Sequence, residues 1–197
     1  DFAFNPTRWL EIQGMFSWGD WKWLNNPKGY YYNEQGQPLA SLTDGTLASG
    51  PNAPDHAWSV LNQKNHKVCG SAQTTGGLGV TFKPFKGFRI GADWTFSARN
   101  YSDYFLDASS SLVQNGEITL ADPWEIPWGN ELDLSCSYSF KIGGLNATVY
   151  GNVFNLFDYY YVKDAQTPYN ENGTWRNATY AVYSFGRTFS LKLKINF

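Results

Sequence analysis

The stretch that decides the fold is Phe189-Ser190-Leu191-Lys192-Leu193-Lys194-Ile195-Asn196-Phe197. Its apolar residues hold every odd position, and serine, lysine or asparagine hold every even one. A helix would repeat its apolar positions every 3.6 residues. A strict period of two is a β-strand with one apolar and one polar face.

The same alternation recurs upstream and predicts six strands in all. The first covers residues 9–23, with Leu10, Ile12, Gly14, Phe16 and Trp18 opposite Glu11, Gln13, Ser17 and Gly19. The second, 73–83, carries Leu78, Val80 and Phe82. The third, 88–100, is the cleanest: Phe88, Ile90, Ala92, Trp94, Phe96 and Ala98 alternate with Arg89, Gly91, Asp93, Thr95, Ser97 and Arg99. Residues 131–140, 145–157 and 183–197 complete the set. No helical period persists anywhere, so the expected fold class is all-β and antiparallel.

The links alternate in length. Lys83-Pro84-Phe85-Lys86-Gly87 and Lys141-Ile142-Gly143-Gly144 are tight, the latter with glycines suited to positive φ. Residues 24–72, 101–130 and 158–182 are long. Asn5-Pro6-Thr7 reads as the second half of one more tight turn. Short turns at one end and long loops at the other describe a transmembrane β-barrel. The chain ends are then expected on the short-turn, periplasmic side, and Phe197 as a signal for the barrel-assembly machinery.

Composition agrees. Aromatic residues make up 18% of the 197-residue chain, with nine Trp, thirteen Tyr and fourteen Phe. One core of this size has room for few tryptophans, so many rings are expected at membrane interfaces in contact with outer-membrane lipid. Charged residues are only 16%, with a formal net charge of -2, which argues against a nucleic-acid partner. No run of eighteen apolar residues exists to form a membrane-spanning helix. Lys192, Lys194, Arg89, Arg99, Asp93 and Asp133 all fall in the polar phase of their strands. A lysine or arginine facing lipid at mid-membrane would cost about 2–4 kcal/mol. Six strands cannot close a barrel, since closed ones begin at about eight. Strands from elsewhere are therefore expected to pair with the first and last.

Four segments carry a family resemblance. They are TFKPFKGFRIGADWTFSARNYSDYF (81–105), IPWGNELDLSCSYSF (126–140), LNATVYGNVFNLFDYYYV (145–162) and YSFGRTFSLKLKINF (183–197). The chain resembles the C-terminal part of a TonB-dependent outer-membrane receptor of the kind found in Bacteroidota. Asn155-Leu156-Phe157-Asp158, about forty residues before an alternating strand ending in Phe, is the most specific match. The resemblance implies that residues 1–197 are the C-terminal segment of a plugged barrel of about 22 strands. It further implies a receptor that binds a scarce solute outside and imports it with energy supplied through TonB. The implied partners are the rest of the receptor (the plug and about sixteen strands), the TonB complex acting through that part, and a surface lipoprotein lid in some relatives. A passive outer-membrane channel and a soluble β-sandwich carbohydrate-binding module are the alternatives.

Trp18, Trp21, Trp23, Trp124, Trp128, Tyr159, Tyr160 and Tyr161 are read as membrane-interface aromatics. Tyr30, Tyr31 and Tyr32, without strand neighbours in the longest loop, are the candidate ligand contacts, with Trp58 of the same loop. His56 and His66 lack metal-ligand spacing and read as solvated loop residues. Glu131 and Asp133 share one strand face and are expected to bond a plug or lumen water. No catalytic residue, metal or cofactor is assigned. A Cys69–Cys136 bridge is left open by spacing alone.

Overall fold

A computed structural model of the protein describes residues 1–103, 113–120, 122–166, 169–171, 174–176 and 180–196. Phe197 lies outside the described residues. Among them there is no helix. Seven strands form one sheet: β1 (Phe2–Thr7), β2 (Leu10–Trp18), β3 (Thr74–Phe82), β4 (Phe88–Ala98), β5 (Gly129–Ile142), β6 (Leu145–Phe154) and β7 (Thr188–Asn196). Each pairs antiparallel with its chain neighbour, so the sheet is an uninterrupted meander with β1 and β7 at its open edges.

The register keeps one apolar row across the strands. Leu10 faces Phe82, Phe82 faces Ile90, Ile90 faces Cys136, Cys136 faces Gly151 and Gly151 faces Leu191. Residues directly opposite in an antiparallel pair share a face. A slip of one residue would therefore turn lysines and aspartates onto the apolar side. Glycines leave space where rings lie flat: the Phe2 ring covers Gly14 and the Phe96 ring covers Gly76.

The count of seven corrects the expected six. β1 is short, contains Pro6, and has a register shift between Phe4 and Thr7. These features hide its alternation, and an edge strand tolerates them. Its turn is Arg8-Trp9, since Thr7 stands opposite Leu10. The tight turns at 83–87 and 143–144 occur as expected, with Gly87, Gly143 and Gly144 at positive φ. Both ends of the chain were expected at this rim. Asn196 is there, opposite Asn146, but Phe2 stands opposite Gly14, halfway up β2.

Several strands end earlier than alternation suggests, because the backbone turns left-handed. Arg99 (φ 54°) ends β4 and Asn155 (φ 50°) follows β6. Residues 181–183 do not continue into β7. They pair instead with Val162–Ala165.

The long links gather at the opposite end. Lys28–Tyr30 pairs with Trp58–Asn62, which pairs in parallel with Gly116–Thr119 from the next loop. Asn100–Tyr101 pairs with Glu125–Ile126, and Asp103 bridges to Gln166 in the third loop. The loops thus form a layer of their own. Most of the buried residues are in it, including Ala57, Tyr101, Ile126, His56, Gln73 and Ser102.

Candidate functional site: two faces of a sheet and a loop layer

Among the described residues no second sheet covers the apolar face. Phe16, Trp18, Phe189 and Leu191 are between 66% and 82% exposed, and Leu78, Ile90 and Trp94 are also exposed. Aromatic rings bracket this face. Toward the tight turns, Trp9 packs edge-on against Phe82 at 5.5 Å, Phe85 stacks on Phe88 at 5.1 Å, and Tyr138 stacks on Phe140 at 5.6 Å. Toward the loops, Phe96 stacks with Trp94 at 5.2 Å and meets Phe16 at 6.4 Å, with Trp18 one alternation beyond.

The predicted interface aromatics divide between two settings. Trp18 is exposed at the loop end of β2, and Trp124, Trp128, Tyr159 and Tyr160 are exposed around the same rim. Trp21 and Trp23 are past the strand, in the loop layer: the Trp23 N–H donates to His66 O, and the Trp21 peptide is held by Gln73. Tyr161 is half-buried and its hydroxyl meets Glu131 Oε2 at 3.5 Å. The row at the tight-turn end was missed because its members are scattered over three strands and two turns.

The polar face is stepped by glycines. A side chain at Gly79 would meet Asp93 Oδ1 at 2.6 Å, and one at Gly91 would meet Ser135 Oγ at 2.6 Å. Asp133 stands opposite Asp93, and its Oδ1 accepts from the Asn155 N–H at 2.8 Å. Glu131 and Asp133, expected to seek an external partner, thus find partners within the chain. Nearer the turns Glu11 pairs with Lys83 and with Arg89 at 3.3 Å.

Two buried amides hold the loops to the sheet. Asn155 donates through Nδ2 to Tyr159 O and Phe185 O, both at 2.9 Å, and accepts from Tyr159 N–H at 3.0 Å. Asparagine tolerates the left-handed backbone found here better than a branched residue would. Asp158, also left-handed, accepts from the Arg187 N–H at 2.7 Å, and the Arg187 guanidinium donates to Leu156 O at 3.2 Å. Asn155-Leu156-Phe157-Asp158 is therefore a clasp between β5, β6 and the approach to β7. Gln73 does the same between β2 and β3. Its Oε1 accepts from Trp21 N–H at 3.1 Å and its Nε2 donates to Trp21 O at 2.9 Å.

Beside it, Asp20 gathers Lys67, Lys22 at 3.3 Å and Arg99 at 3.1 Å. The Lys67 ammonium, followed by Lys22, holds the Asp20 carboxyl below its usual range. Arg99, read as a lumen-facing strand residue, instead donates to Gly19 O at 2.8 Å in this loop junction.

Three of the four candidate ligand contacts, Tyr30, Tyr31 and Tyr32, come together around His56, and Trp58 stands opposite Tyr30. Contrary to expectation, this histidine is buried, and Lys28–Tyr30 has strand neighbours. Tyr30 and Tyr32 flank its ring at 4.8 and 4.9 Å. Its Nδ1 is 2.8 Å from Pro51 O and its Nε2 2.8 Å from Tyr31 O. Carbonyls only accept, so a singly protonated ring satisfies one of them and an imidazolium both. Tyr31 OH donates to Ser59 Oγ at 2.9 Å, and Lys28 Nζ lies 4.1 Å from the Trp58 ring centroid. One side of each ring is therefore used within the protein, while Tyr30 and Tyr32 keep about half their surface open.

His66 Nε2 lies 3.5 Å from Asp122. Cys69 and Cys136 are not bridged to each other. Among the described residues no cluster of metal-ligating side chains is formed. No protein-family model, no curated protein and no solved structure matches the chain.

Proposed function

We propose that the chain is the C-terminal wall of an outer-membrane barrel belonging to an energy-coupled import receptor. The observation that carries this reading is the continuous, uncovered apolar face of the meander. Water penalises such a face, whereas lipid tails do not. The aromatic rows set a scale. Phe88 and Phe96 are eight residues apart on β4, about 27 Å along the strand and about 21 Å across a bilayer at a tilt near 40°. The apolar band of such barrels is about 25 Å tall. A β-sandwich would need a second sheet on this face. The open edges β1 and β7 call for further strands, because unpaired backbone groups are not tolerated in lipid. Three knitted loops on one rim favour capture of a solute over simple passage.

The test is mass analysis of the detergent-extracted complex, with sequencing of whatever co-purifies. A longer chain or companion polypeptide carrying a plug and the missing strands is expected. A chain that is folded, alone and soluble without detergent would overturn the barrel. A barrel that conducts small solutes freely and has no plug would replace the receptor with a passive channel.

A further inference from the structure

The polar face of the sheet carries a second site at the tight-turn rim. Alternation puts Arg89 on that face, with Phe88 and Ile90 on the other, and the register sets Ser137 opposite Arg89. Lys83 follows Phe82 by one residue and faces the same way as Arg89, as its pairing with Glu11 shows. With Ser139, one alternation nearer the turn, these side chains wall a cavity of about 530 Å³. Arg8 from the first turn and Lys86 from the second complete it. The Trp9–Phe82 and Phe85–Phe88 rings belong to the opposite, apolar face. The polar side therefore offers an occupant charge and hydroxyls rather than a bed for lipid tails.

The charge is one-sided. Glu11 is the carboxylate that reaches this group, through Lys83 and through Arg89 at 3.3 Å. Four cations against one carboxylate leave three positive charges. Among the described residues neither Arg8 nor Lys86 enters an ion pair. The next carboxylates on this face, Asp93 and Asp133 opposite it, stand four residues from Arg89 along β4, about 13 Å away. Exposed charges are largely screened beyond about 8 Å in physiological salt, so these do not neutralise the group. Two guanidinium forks, two ammonium groups and two hydroxyls around one cavity suit a single polyvalent oxyanion. A phosphate group brings close to two negative charges at neutral pH and three acceptor oxygens in one small volume.

We infer that this cavity binds a phosphate group, free or as the monoester of a polar solute. Arg8 and Lys86 are its unpaired cations, Lys83 and Arg89 are shared between it and Glu11, and Ser137 and Ser139 donate from the strand. In the barrel proposed above this face lines the lumen, so the site lies on the path of an imported solute. That placing rests on the barrel reading, whereas the binding rests on the polar face alone.

The experiment titrates inorganic phosphate into the detergent-extracted complex by calorimetry, at constant ionic strength with chloride as the balancing anion. One saturable site per chain is expected. A unit-charge pair at about 4 Å in water is worth about fivefold in affinity, so R8Q/K86Q should weaken binding about 25-fold. K64Q/K163Q, which removes the same charge from the loop layer, should leave it unchanged. E11Q removes the one carboxylate and should tighten binding about two- to fivefold, a gain that a damaged fold would not give. Absence of saturable binding up to about 10 mM phosphate, equal loss in the two double variants, or a loss in E11Q overturns the site. Glycerol 3-phosphate is titrated in parallel: equal or tighter binding assigns the site to a monoester, weaker binding to free phosphate, and either supports it. A triglutamate peptide that binds tighter than phosphate, with the same dependence on Arg8 and Lys86, would make this a docking surface for an acidic segment and overturn the phosphate assignment. Vesicle insertion, read by protease protection, keeps the two readings apart. A protein that inserts but binds no phosphate sinks only this inference, whereas one that binds phosphate yet stays soluble without detergent keeps the site and sinks the barrel.

Discussion

The sheet and the loop layer of this protein obey opposite burial rules. On the sheet, large apolar residues are exposed: Leu191 by 82% and Trp18 by 68%. In the loop layer, polar residues are buried: Gln73, Asn155, Ser102 and His56 are all at 2% exposure or less. The loop layer behaves as water-soluble proteins do, excluding water and pairing buried polar groups such as Gln73, Asn155 and His56. The sheet behaves as though its solvent were apolar, with alternation rather than layering separating its two faces. The contrast teaches that burial means little until the solvent of each region is known, and it supports the division into membrane wall and external cap proposed above.

The largest expected effect would come from reversing the rule on the sheet. Leu191→Arg, on the apolar face of β7, should destabilise the vesicle-inserted protein by about 2–4 kcal/mol in urea refolding titrations. If the face were simply a water-exposed surface, the same change would stay within about 0.5 kcal/mol. Lys192→Leu, on the polar phase of the same strand, should have no comparable effect.

The loop layer breaks differently, through its hydrogen bonds. Asn155→Ala removes an amide that makes three side-chain bonds, and it leaves Tyr159 O and Phe185 O without that donor. A loss of about 2–3 kcal/mol is expected, seen as a lowered unfolding midpoint. Asn155→Asp should not rescue it, because a carboxylate cannot donate to the two carbonyls. His56→Ala empties the space between Tyr30 and Tyr32 and removes the ring that bridges Pro51 O and Tyr31 O. A cost of about 1–3 kcal/mol is expected, localised to the first loop by hydrogen exchange.

The smallest effect is with pH. The Asp44 carboxyl is lowered to about 2, first by the Ser41 hydroxyl and then by the Thr46 backbone and side chain. Asp20 is lowered mainly by Lys67. Both values fall on folding, so these bonds contribute above the ordinary value of 3.8 and weaken as protons are added below it. For Asp44 the window runs from 3.8 down to about 2. Hydrogen exchange should quicken in the loop layer over that window while the strand circular dichroism stays constant.

What the sequence made legible follows the same division. Between sheet and loops, only the sheet has a period. Residues 88–98 alternate so regularly that β4 and its two faces follow from the letters alone. β1 was not legible, since Pro6 and a register shift interrupt it. In the loop layer Asn155 could be found only as part of a recognisable motif, and Gln73 not at all, because a buried amide leaves no pattern in sequence. Tyr30, Tyr31, Tyr32 and Trp58 were read as a group, but His56, at the centre of the three tyrosines, was not.

By itself, then, the sequence determined six of the seven strands of the sheet, their two faces, and the alternation of short and long links. Those depend on local periodicity and on turn residues such as Gly143 and Gly144. Only the tertiary structure decided where the loops knit together, which amides clasp them, and that no layer of the described residues covers the apolar face. Those depend on contacts between residues far apart in the chain, such as Asn155 with Phe185, Tyr31 with His56, and Asp20 with Lys67. No local pattern encodes such pairs, because each group is satisfied by whichever partner the folded backbone brings near.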